Sequence, residues 1–327
     1  MQRLQSVARL GRTVESVIAA PVVRAPYEIV LGDAFEWMRK QPANSVQAIV
    51  TDPPYGLKEF TETEKQKLRS GRGGVWRIPP SFDGCRRSPL PRFTVLGDHD
   101  HAALRGFFGT LAQEAMRILV PGAHVIIATN PLLSHHVYLP MIGAGFEKRG
   151  EIIRLVQTLR GGDRPKNAHE EFVEVSVMPR SAWEPWGLFR KPCEGRVQDN
   201  LRKWGTGGLR RISGEEPFVD VIKSGPTRSE ERAIAPHPSL KPQSFMRQIV
   251  RSALPLGRGV VADPFMGGGS TIAAASAVGY TSIGIEHDAT YFSIAKKAIP
   301  ALARLTPLAQ LGGKFAATKG SKTVSYR

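Results

Sequence analysis

Cysteine and long apolar runs are what this sequence has least of. Its 327 residues include two cysteines, Cys85 and Cys193, in neither a paired nor a CxxC spacing. That usage indicates neither a disulfide framework nor a zinc site, and it is typical of a reducing compartment. No apolar run approaches the roughly 20 residues that are needed to span a bilayer. We therefore expect the protein in the cytoplasm.

Acidic residues are scarce beside basic ones. The chain has 45 Lys and Arg against 29 Asp and Glu, a formal net charge of +16. The surplus is concentrated in residues 56–92 and 236–327, and residues 304–327 carry five basic residues and no acid. Such an excess favours a polyanionic partner, of which nucleic acid is the commonest. We expect the protein to be associated with the nucleoid.

Strand and helix patterns alternate along most of the chain. The predicted strands cover residues 27–31, 46–50, 124–128, 152–159, 259–262 and 282–285. The predicted helices cover residues 34–40, 101–119 after a capping Asp100, 244–254 and 271–278. This alternation predicts an α/β fold with a parallel sheet. Residues 160–235 have little periodicity, which indicates an inserted module rather than more of the same sheet.

One predicted strand ends in an unusual series of side chains. Residues 51–55 read TDPPY, so the strand delivers one carboxylate, Asp52, and two prolines and Tyr55 follow at once. Prolines end strands routinely, so a simple proline turn is one interpretation. The other is a small rigid pocket that holds one flat polar group.

A glycine-rich turn follows a second predicted strand. Residues 263–271 read DPFMGGGST and lead into an alanine-rich helix, and a further strand ends at Glu286. Glycines let a ligand approach the backbone, a helix N-terminus offers free N–H groups, and an acid such as Glu286 can accept both hydroxyls of a ribose. A turn that serves only close strand–helix packing is the alternative.

Exclusion narrows the choice of nucleotide-bearing ligand. The GxGxxG fingerprint fails because Ile272 stands where its third glycine belongs, and no GxxxxGK[ST] sequence is present. Asp263 ahead of the turn suits a cationic ligand better than a pyrophosphate. S-adenosyl-L-methionine carries a ribose, an adenine, a sulfonium and an amino group but no phosphate, so it is the expected cofactor.

A third stretch, residues 237–243, reads HPSLKPQ and lies ahead of a predicted helix. Its two prolines stiffen the chain where the helix begins, which is one interpretation. The other is that Lys241 and the start of this helix close over the cofactor.

The three stretches together resemble the amino-methyltransferases of DNA, which methylate adenine N6 or cytosine N4. Residues 52–55 are similar to their catalytic motif, residues 263–269 to their cofactor loop, and residues 237–242 to the segment just before that loop. The catalytic motif comes first here, which is the permuted order of the β class. The resemblance covers residues 27–153 and 236–300 and implies a Rossmann-like, S-adenosylmethionine-dependent fold.

The resemblance also implies a set of site residues. Asp33 is expected to contact the adenine of the cofactor, and Glu286 its ribose. The expected catalytic residues are Asp52, Pro53, Pro54 and Tyr55. The expected cofactor-binding residues are Asp33, His237, Lys241, Pro242, Asp263, Pro264, Phe265, Gly267, Gly269, Ser270, Thr271 and Glu286. Gly268 stands where the family more usually has serine.

The resemblance divides the chain into five segments. They are an N-terminal extension (1–26), the half of the methyltransferase domain with the catalytic motif (27–153), a target-recognition region (154–235), the cofactor-binding half (236–300) and a basic tail (301–327). The expected DNA contacts in the recognition region are Arg160, Arg164, Lys166, Trp204, Arg210 and Arg211. Aromatic core packing and solvated charge explain such residues equally well.

Residue chemistry supports the same reaction. The exocyclic nitrogen of a base is a poor nucleophile because its lone pair is delocalised, and it is reached only when the base is flipped out of the duplex. Asp52 and the Pro53 carbonyl can each accept one N–H of that amine, and Tyr55 can stack on the base. The resemblance to the family also implies the methylated atom: aspartate at the first motif position is more typical of its adenine N6 enzymes, with cytosine N4 as the alternative.

Other interpretations have less support. Methyltransferases of RNA or of protein glutamine usually carry the cofactor loop first, and a non-catalytic DNA-binding relative would have lost Asp52 or the glycine turn. Cys193 has no cofactor loop ahead of it, so it is not expected to be a nucleophile. Residues 98–101, DHDH, and the pair His135-His136 are expected to serve as caps rather than metal ligands.

The expected partners are double-stranded DNA, a cognate restriction endonuclease and a second copy of the chain.

Overall fold

A computed structural model describes residues 26–54, 81–82, 85–86, 96–156, 162, 164–165 and 167–306. The strands are β1 (Tyr27–Leu31), β2 (Val46–Thr51), β3 (Ser81–Phe82), β4 (Cys85–Arg86), β5 (Leu119–Ala128), β6 (Glu147–Leu155), β7 (Trp183–Arg190), β8 (Val221–Lys223), β9 (Val260–Asp263) and β10 (Thr281–Glu286). The helices are α1 (Ala34–Lys40), α2 (Asp98–Ile118), α3 (Ser134–Gly143), α4 (Val197–Trp204), α5 (Ser229–Ile234), α6 (Gln243–Ala253), α7 (Ser270–Ala277) and α8 (Ala289–Arg304). The described residues do not include Tyr55, Arg160 or Lys166. They also exclude most of the predicted N-terminal extension, of the basic stretch 56–92 and of the predicted basic tail.

One mixed sheet organises the described chain. Its strand order is β1-β10-β9-β2-β5-β7-β6-β8, and β3 pairs with β4 separately. Neighbouring strands run parallel except at β7, which is antiparallel to both β5 and β6. The predicted α/β fold is therefore confirmed, with one antiparallel strand inside the sheet. We call the edge where β1, β10, β9, β2, β5 and β6 end the carboxyl edge, and the opposite edge the amino edge.

Helices cover both faces of the sheet. Val125 and Ile127 of β5 belong to a core with α2 and α3, whereas Ile126 packs on the other face with α6 and α7. Alternate residues of a strand point to opposite faces, and strands buried on both faces are apolar almost throughout. No helix in the described ranges is long and apolar enough to cross a membrane.

The region predicted as an inserted module is partly sheet, so that prediction is wrong. β7 lies between β5 and β6, and β8 pairs with β6 at the sheet margin. β7 reads WEPWGLFR, and six of its eight residues are buried. Burial on both faces removes the polar–apolar alternation that indicates a strand, and Pro185 interrupts the β pattern further. Gly187 is required there because a Cβ would lie 2.6 Å from the ring of Tyr138.

Three predicted elements have different bounds in the structure. α2 begins at Asp98 with Gly97 as its N-cap, and Asp100 accepts a hydrogen bond from the Gly97 N–H over 3.0 Å rather than capping the helix itself. β5 begins at Leu119, ahead of an irregular pairing with β2, and β6 ends at Leu155. The other predicted elements match the observed ends to within one residue.

Candidate active site

Three acidic side chains lie where neighbouring strands end. Asp52 follows β2, Asp263 is the last residue of β9, and Glu286 is the last residue of β10. Because β2, β9 and β10 are parallel neighbours, these carboxylates meet at the carboxyl edge, where ligands bind in open α/β sheets. The Thr51 hydroxyl donates to Asp263 Oδ1 over 2.7 Å. The two sequence motifs therefore lie side by side.

The glycine-rich turn connects β9 to α7. Gly267 has a φ of +49° and Gly269 a φ of +85°, in the left-handed region that favours glycine. A Cβ on Gly269 would lie 2.5 Å from Ile299 Cγ1, so the turn packs closely on α8. The Gly267 N–H donates to Glu286 Oε2 over 3.0 Å. This bond holds the Glu286 carboxylate beside the turn.

Asp263 is a buried carboxylate surrounded by donors. Burial raises the pKa of Asp263 to about 6, although hydrogen bonds from the Thr271 and Thr51 hydroxyls and the Phe265 N–H lower it. The Phe265 N–H lies 3.1 Å from Oδ1. A nearby cation favours the charged form of such a group. Asp263 therefore suits a ligand that carries positive charge.

The segment ahead of α6 lies across the glycine turn. The His237 ring packs on Gly267 and Gly268, where added Cβ atoms would lie 2.9 Å from its Cε1 and Cβ atoms. Burial lowers the pKa of His237 below its usual value, although Glu286 and Asp52 act in the opposite direction. His237 is therefore a partly buried ring that faces both carboxylates.

The Lys241 side chain reaches Asp52 of the predicted catalytic motif. Its Nζ lies 2.6 Å from Asp52 Oδ2 and 3.7 Å from Glu184 Oε1. Burial lowers the pKa of Lys241, but the two carboxylates raise it by more, so the pKa lies above its usual value. The Lys241 N–H also donates to Ser270 Oγ over 3.2 Å. Glu184 was not among the predicted site residues, because the sequence of β7 does not predict a strand.

Asp33 lies at the same edge of the sheet. It follows β1, the neighbour of β10, and the preceding Gly32 N–H donates to the Glu286 carbonyl over 2.9 Å. Asp33 caps α1, since its Oδ1 accepts from the Glu36 N–H over 2.8 Å. The structure thus places the two residues expected to hold adenine and ribose on adjacent strand ends.

These residues fit S-adenosyl-L-methionine. The cleft draws on all three motifs and is lined by residues that include Asp52, His237, Lys241, Asp263, Phe265, Gly267, Gly268, Ser270 and Thr271. Side chains at Gly267 and Gly268 would collide with His237, so glycine at both positions lets this residue lie against the turn. The cleft offers the carboxylates of Asp52 and Asp263 for a cation. Glu286 lies beside the turn for ribose hydroxyls, and residues 263–271 of the turn include no lysine or arginine for a phosphate.

The expected DNA contacts fall at opposite ends of the sheet. Arg164 is exposed in the connection that leaves β6 at the carboxyl edge. Trp204, Arg210 and Arg211 follow β7, which is antiparallel and ends at the amino edge. Arg210 donates there to the hydroxyl of Tyr280, which directly precedes β10, over 2.8 Å. The structure therefore does not bring these three residues to the candidate site.

Three histidines meet near the starts of α2 and α3. In the described part of the chain, no three His, Cys, Asp or Glu side chains are grouped to hold a metal ion. His101 Nδ1 and His136 Nε2 lie 2.7 Å apart. Burial, with His135 and His101 beside it, lowers the pKa of His136 to about 4. This ring is therefore neutral near pH 7.

Comparison with known families identifies the class of this protein. Residues 46–297, more than half of the chain, match the N6/N4 DNA methylase family. The chain belongs to this family. It is an S-adenosyl-L-methionine-dependent DNA methyltransferase, as the three motifs indicated.

Individual proteins that are similar to this chain are methyltransferases as well. The Type II methyltransferase M.HinfI of Haemophilus influenzae is 24% identical over 273 residues, which cover 82% of this chain and 67% of that protein. The Type II methyltransferase M2.DpnII of Streptococcus pneumoniae is 28% identical over 278 residues, or 84% and 89% of the two chains. The fold is similar to that of a DNA modification methylase of Thermus thermophilus in complex with S-adenosyl-L-methionine, with a TM-score of 0.53, 20% identity, and 85% and 95% of the two chains covered.

Proposed function

We propose that this methyltransferase acts on N6 of an adenine that is flipped out of double-stranded DNA. The observation that carries the proposal is the position of Asp52 and Pro53 beside the glycine turn, where Thr51 Oγ1 and Asp263 Oδ1 lie 2.7 Å apart. Acceptors for a base amine and residues suited to the cofactor are thus held on two adjacent strand ends. Such positioning contributes much of the rate of a group transfer.

Asp52 and Pro53 act on the target amine. The Asp52 carboxylate accepts one N–H and the Pro53 carbonyl accepts the other, which moves the nitrogen toward sp³ geometry and frees its lone pair. Pro53 is buried and Pro54 is exposed. The ring of Pro53 fixes its φ and the following Pro54 restricts its ψ, so the Pro53 carbonyl is presented with little freedom. Tyr55 lies outside the described residues, and we propose that its ring stacks on the flipped base.

S-adenosyl-L-methionine supplies an activated methyl group on its sulfonium sulfur. Asp263 offers a carboxylate to the positively charged end of the cofactor, Glu286 accepts the ribose hydroxyls, and Asp33 faces the adenine. The turn brings backbone N–H groups and the start of α7 to the same cleft. The further residues to which we assign cofactor binding are His237, Lys241, Pro242, Pro264, Phe265, Gly267, Gly269, Ser270 and Thr271.

We place DNA at the carboxyl edge. Within the predicted recognition region 154–235, residues 156–182 leave β6 and return to β7 at this edge, whereas residues 191–220 connect β7 to β8 at the amino edge. Target recognition is therefore assigned to the 156–182 connection with Arg164, and to Arg160 and Lys166 outside the described residues. The same proposal includes a homodimer, a cognate restriction endonuclease and a location at the nucleoid. It draws on the similarity of this chain to M.HinfI and M2.DpnII, which are Type II methyltransferases.

Identification of the methylated nucleoside tests the proposal. Purified protein is incubated with methyl-labelled S-adenosyl-L-methionine and double-stranded DNA of mixed sequence, and the digested DNA is analysed by mass spectrometry. We expect methylation at adenine N6. Methylation at cytosine N4 would establish the other activity of the same family. Label in added RNA or protein with none in DNA, over a range of salt concentrations, contradicts the proposal.

A further inference from the structure

Lys241 stands between two carboxylates in a partly desolvated place. Its Nζ lies 2.6 Å from Asp52 Oδ2 and 3.7 Å from Glu184 Oε1. The exposed fractions of the Lys241, Asp52 and Glu184 side chains are 14%, 18% and 22%. An ammonium–carboxylate contact is stronger there than in bulk water. A target amine that binds Asp52 Oδ2 therefore has to take the place of Lys241 there.

Glu184 is held by groups that lie outside the three sequence motifs. Trp186 Nε1 donates to Glu184 Oε1 over 2.8 Å, and Arg154 Nη1 donates to Oε2 over 3.1 Å. Trp186 is fully buried, and Arg154 is 5% exposed with a second bond to the Gly225 carbonyl over 2.9 Å. Arg154 of β6 and Glu184 of β7 also lie opposite each other in the strand pairing. The carboxylate thus has a fixed position, whereas the lysine stem is flexible.

This arrangement bears on the step in which Asp52 accepts an N–H of the target amine. An ammonium that loses one buried carboxylate without gaining another is costly, because an uncompensated charge in a desolvated site is strongly unfavourable. Glu184 Oε1 offers Lys241 a second carboxylate at 3.7 Å. A small movement of the lysine terminus therefore exchanges Asp52 for Glu184.

We propose that Glu184 is a positioning residue for the methyl-transfer reaction, which receives the Lys241 ammonium while Asp52 binds the target amine. The inference rests on the proposed role of Asp52 and adds a residue from a strand that the motifs do not include. A Glu184 with a purely structural role would balance the charge of Arg154 and would have no effect on the rate of methyl transfer.

Two matched variants separate these roles. Glu184→Gln keeps the size of the side chain and its capacity to accept from Trp186 but removes its charge. Glu147→Gln is the control, because Glu147 lies at the other end of the same strand pair and binds the buried Arg190 over 2.6 Å. Both variants deprive a buried arginine of a carboxylate, so a structural effect is common to both.

Single-turnover methyl transfer to DNA is the first measurement. We expect the rate to fall about 10- to 100-fold in Glu184→Gln, the range for loss of a charged hydrogen-bonding partner, and to stay near that of the unaltered protein in Glu147→Gln. Cofactor affinity is expected to be unchanged in both. Glu184→Asp, which keeps the charge one methylene farther from Lys241, is expected to have an intermediate rate.

Titration of Lys241 is the second measurement and requires no methyl transfer. Asp52 and Glu184 raise its pKa, whereas burial and Arg154 lower it, and His237 is the other titratable group beside it. In Glu184→Gln we expect the pKa of Lys241, followed by NMR of labelled lysine side chains, to fall, and the alkaline limb of the rate profile to move to lower pH. Glu147→Gln is expected to change neither.

The outcomes are distinct. Equal rates of methyl transfer in Glu184→Gln and Glu147→Gln overturn the inference, whether or not the Lys241 pKa differs between the two variants. Should Glu184→Gln unfold, Glu184→Asp takes its place, and an unchanged rate overturns the inference in the same way. Failure of the unaltered protein to methylate DNA while the Lys241 pKa still falls in Glu184→Gln contradicts the proposed function and supports the Lys241–Glu184 contact.

Discussion

Replacement of Asp263 by Asn is expected to stabilise the fold and to weaken cofactor binding. The Asp263 side chain is 2% exposed, and burial raises its pKa to about 6. Asn has nearly the same shape and can still accept from the Thr51 hydroxyl and the Phe265 N–H, but it carries no charge. The variant therefore removes the cost of burying a charge together with the attraction for a cationic ligand, a trade-off that is common at binding sites.

The size of the stability effect follows from the pKa. The Asp263 carboxyl has a reference pKa of 3.8 and a pKa of about 6 in the folded protein. Between these pH values the folded state binds more protons than the unfolded state, so stability falls as the pH rises through them. A difference of about two pKa units corresponds to about 3 kcal/mol, all of it lost above pH 6. The two new amide donors of Asn need acceptors, so about 3 kcal/mol is an upper bound for the gain at pH 8.

The effect on stability is measured by urea unfolding at pH 4 and pH 8. The effect on cofactor binding is measured by calorimetric titration with S-adenosyl-L-methionine. We expect the stability gain of Asp263→Asn at pH 8 but not at pH 4. Asp288→Asn is the control, because backbone N–H groups of Tyr291 and Thr290 lower the pKa of this exposed cap, so no gain is expected. A less stable Asp263→Asn protein at pH 8 would refute the reasoning on charge burial. Unchanged cofactor affinity would refute the assigned role.

Three further predictions concern both ends of the sheet. Asp52→Ala is expected to abolish methyl transfer with little change in calorimetric cofactor affinity, and transfer at the unaltered rate would contradict its role. Gly269→Ala places a Cβ 2.5 Å from a buried isoleucine at a φ of +85°, so urea unfolding should show a loss of about 2–4 kcal/mol. Gly214→Ala, which meets no atom within 4 Å, should stay within about 0.5 kcal/mol of the unaltered protein. Arg164→Ala is expected to weaken DNA binding and to reduce the salt dependence of that binding. Arg210→Ala should lower stability without changing DNA affinity. Equal losses of DNA affinity in the two variants would contradict recognition at the carboxyl edge.

The fold changes the predicted location of DNA recognition more than it changes any other prediction. Residues 154–235 were expected to form one recognition region, yet β7 and β8 divide them between two ends of the sheet. Arg210 is engaged with Tyr280 at the amino edge. A basic residue in an irregular stretch is therefore a weak indicator of DNA contact until the end of the sheet at which it lies is known.

Local patterns in the sequence determined the strands that carry the predicted catalytic and cofactor-binding residues. β1, β2, β9 and β10 were predicted to within one residue, because each is a short apolar run bounded by glycine, proline or an acid. The order of the three motifs was sufficient to indicate the family, which the match over residues 46–297 confirms. The roles of the individual site residues stay predictions.

Tertiary structure decided what local patterns do not contain. β7 was missed because both its faces are buried, so its side chains lack the alternation that marks a strand. Its antiparallel insertion beside β5 brings Glu184 to the carboxyl edge and carries Arg210 to the amino edge. Lys241 and Asp52, which are 189 positions apart, meet because α6 begins at the edge where β2 ends. Contacts of this kind depend on strand order and direction, which arise from packing over the whole chain.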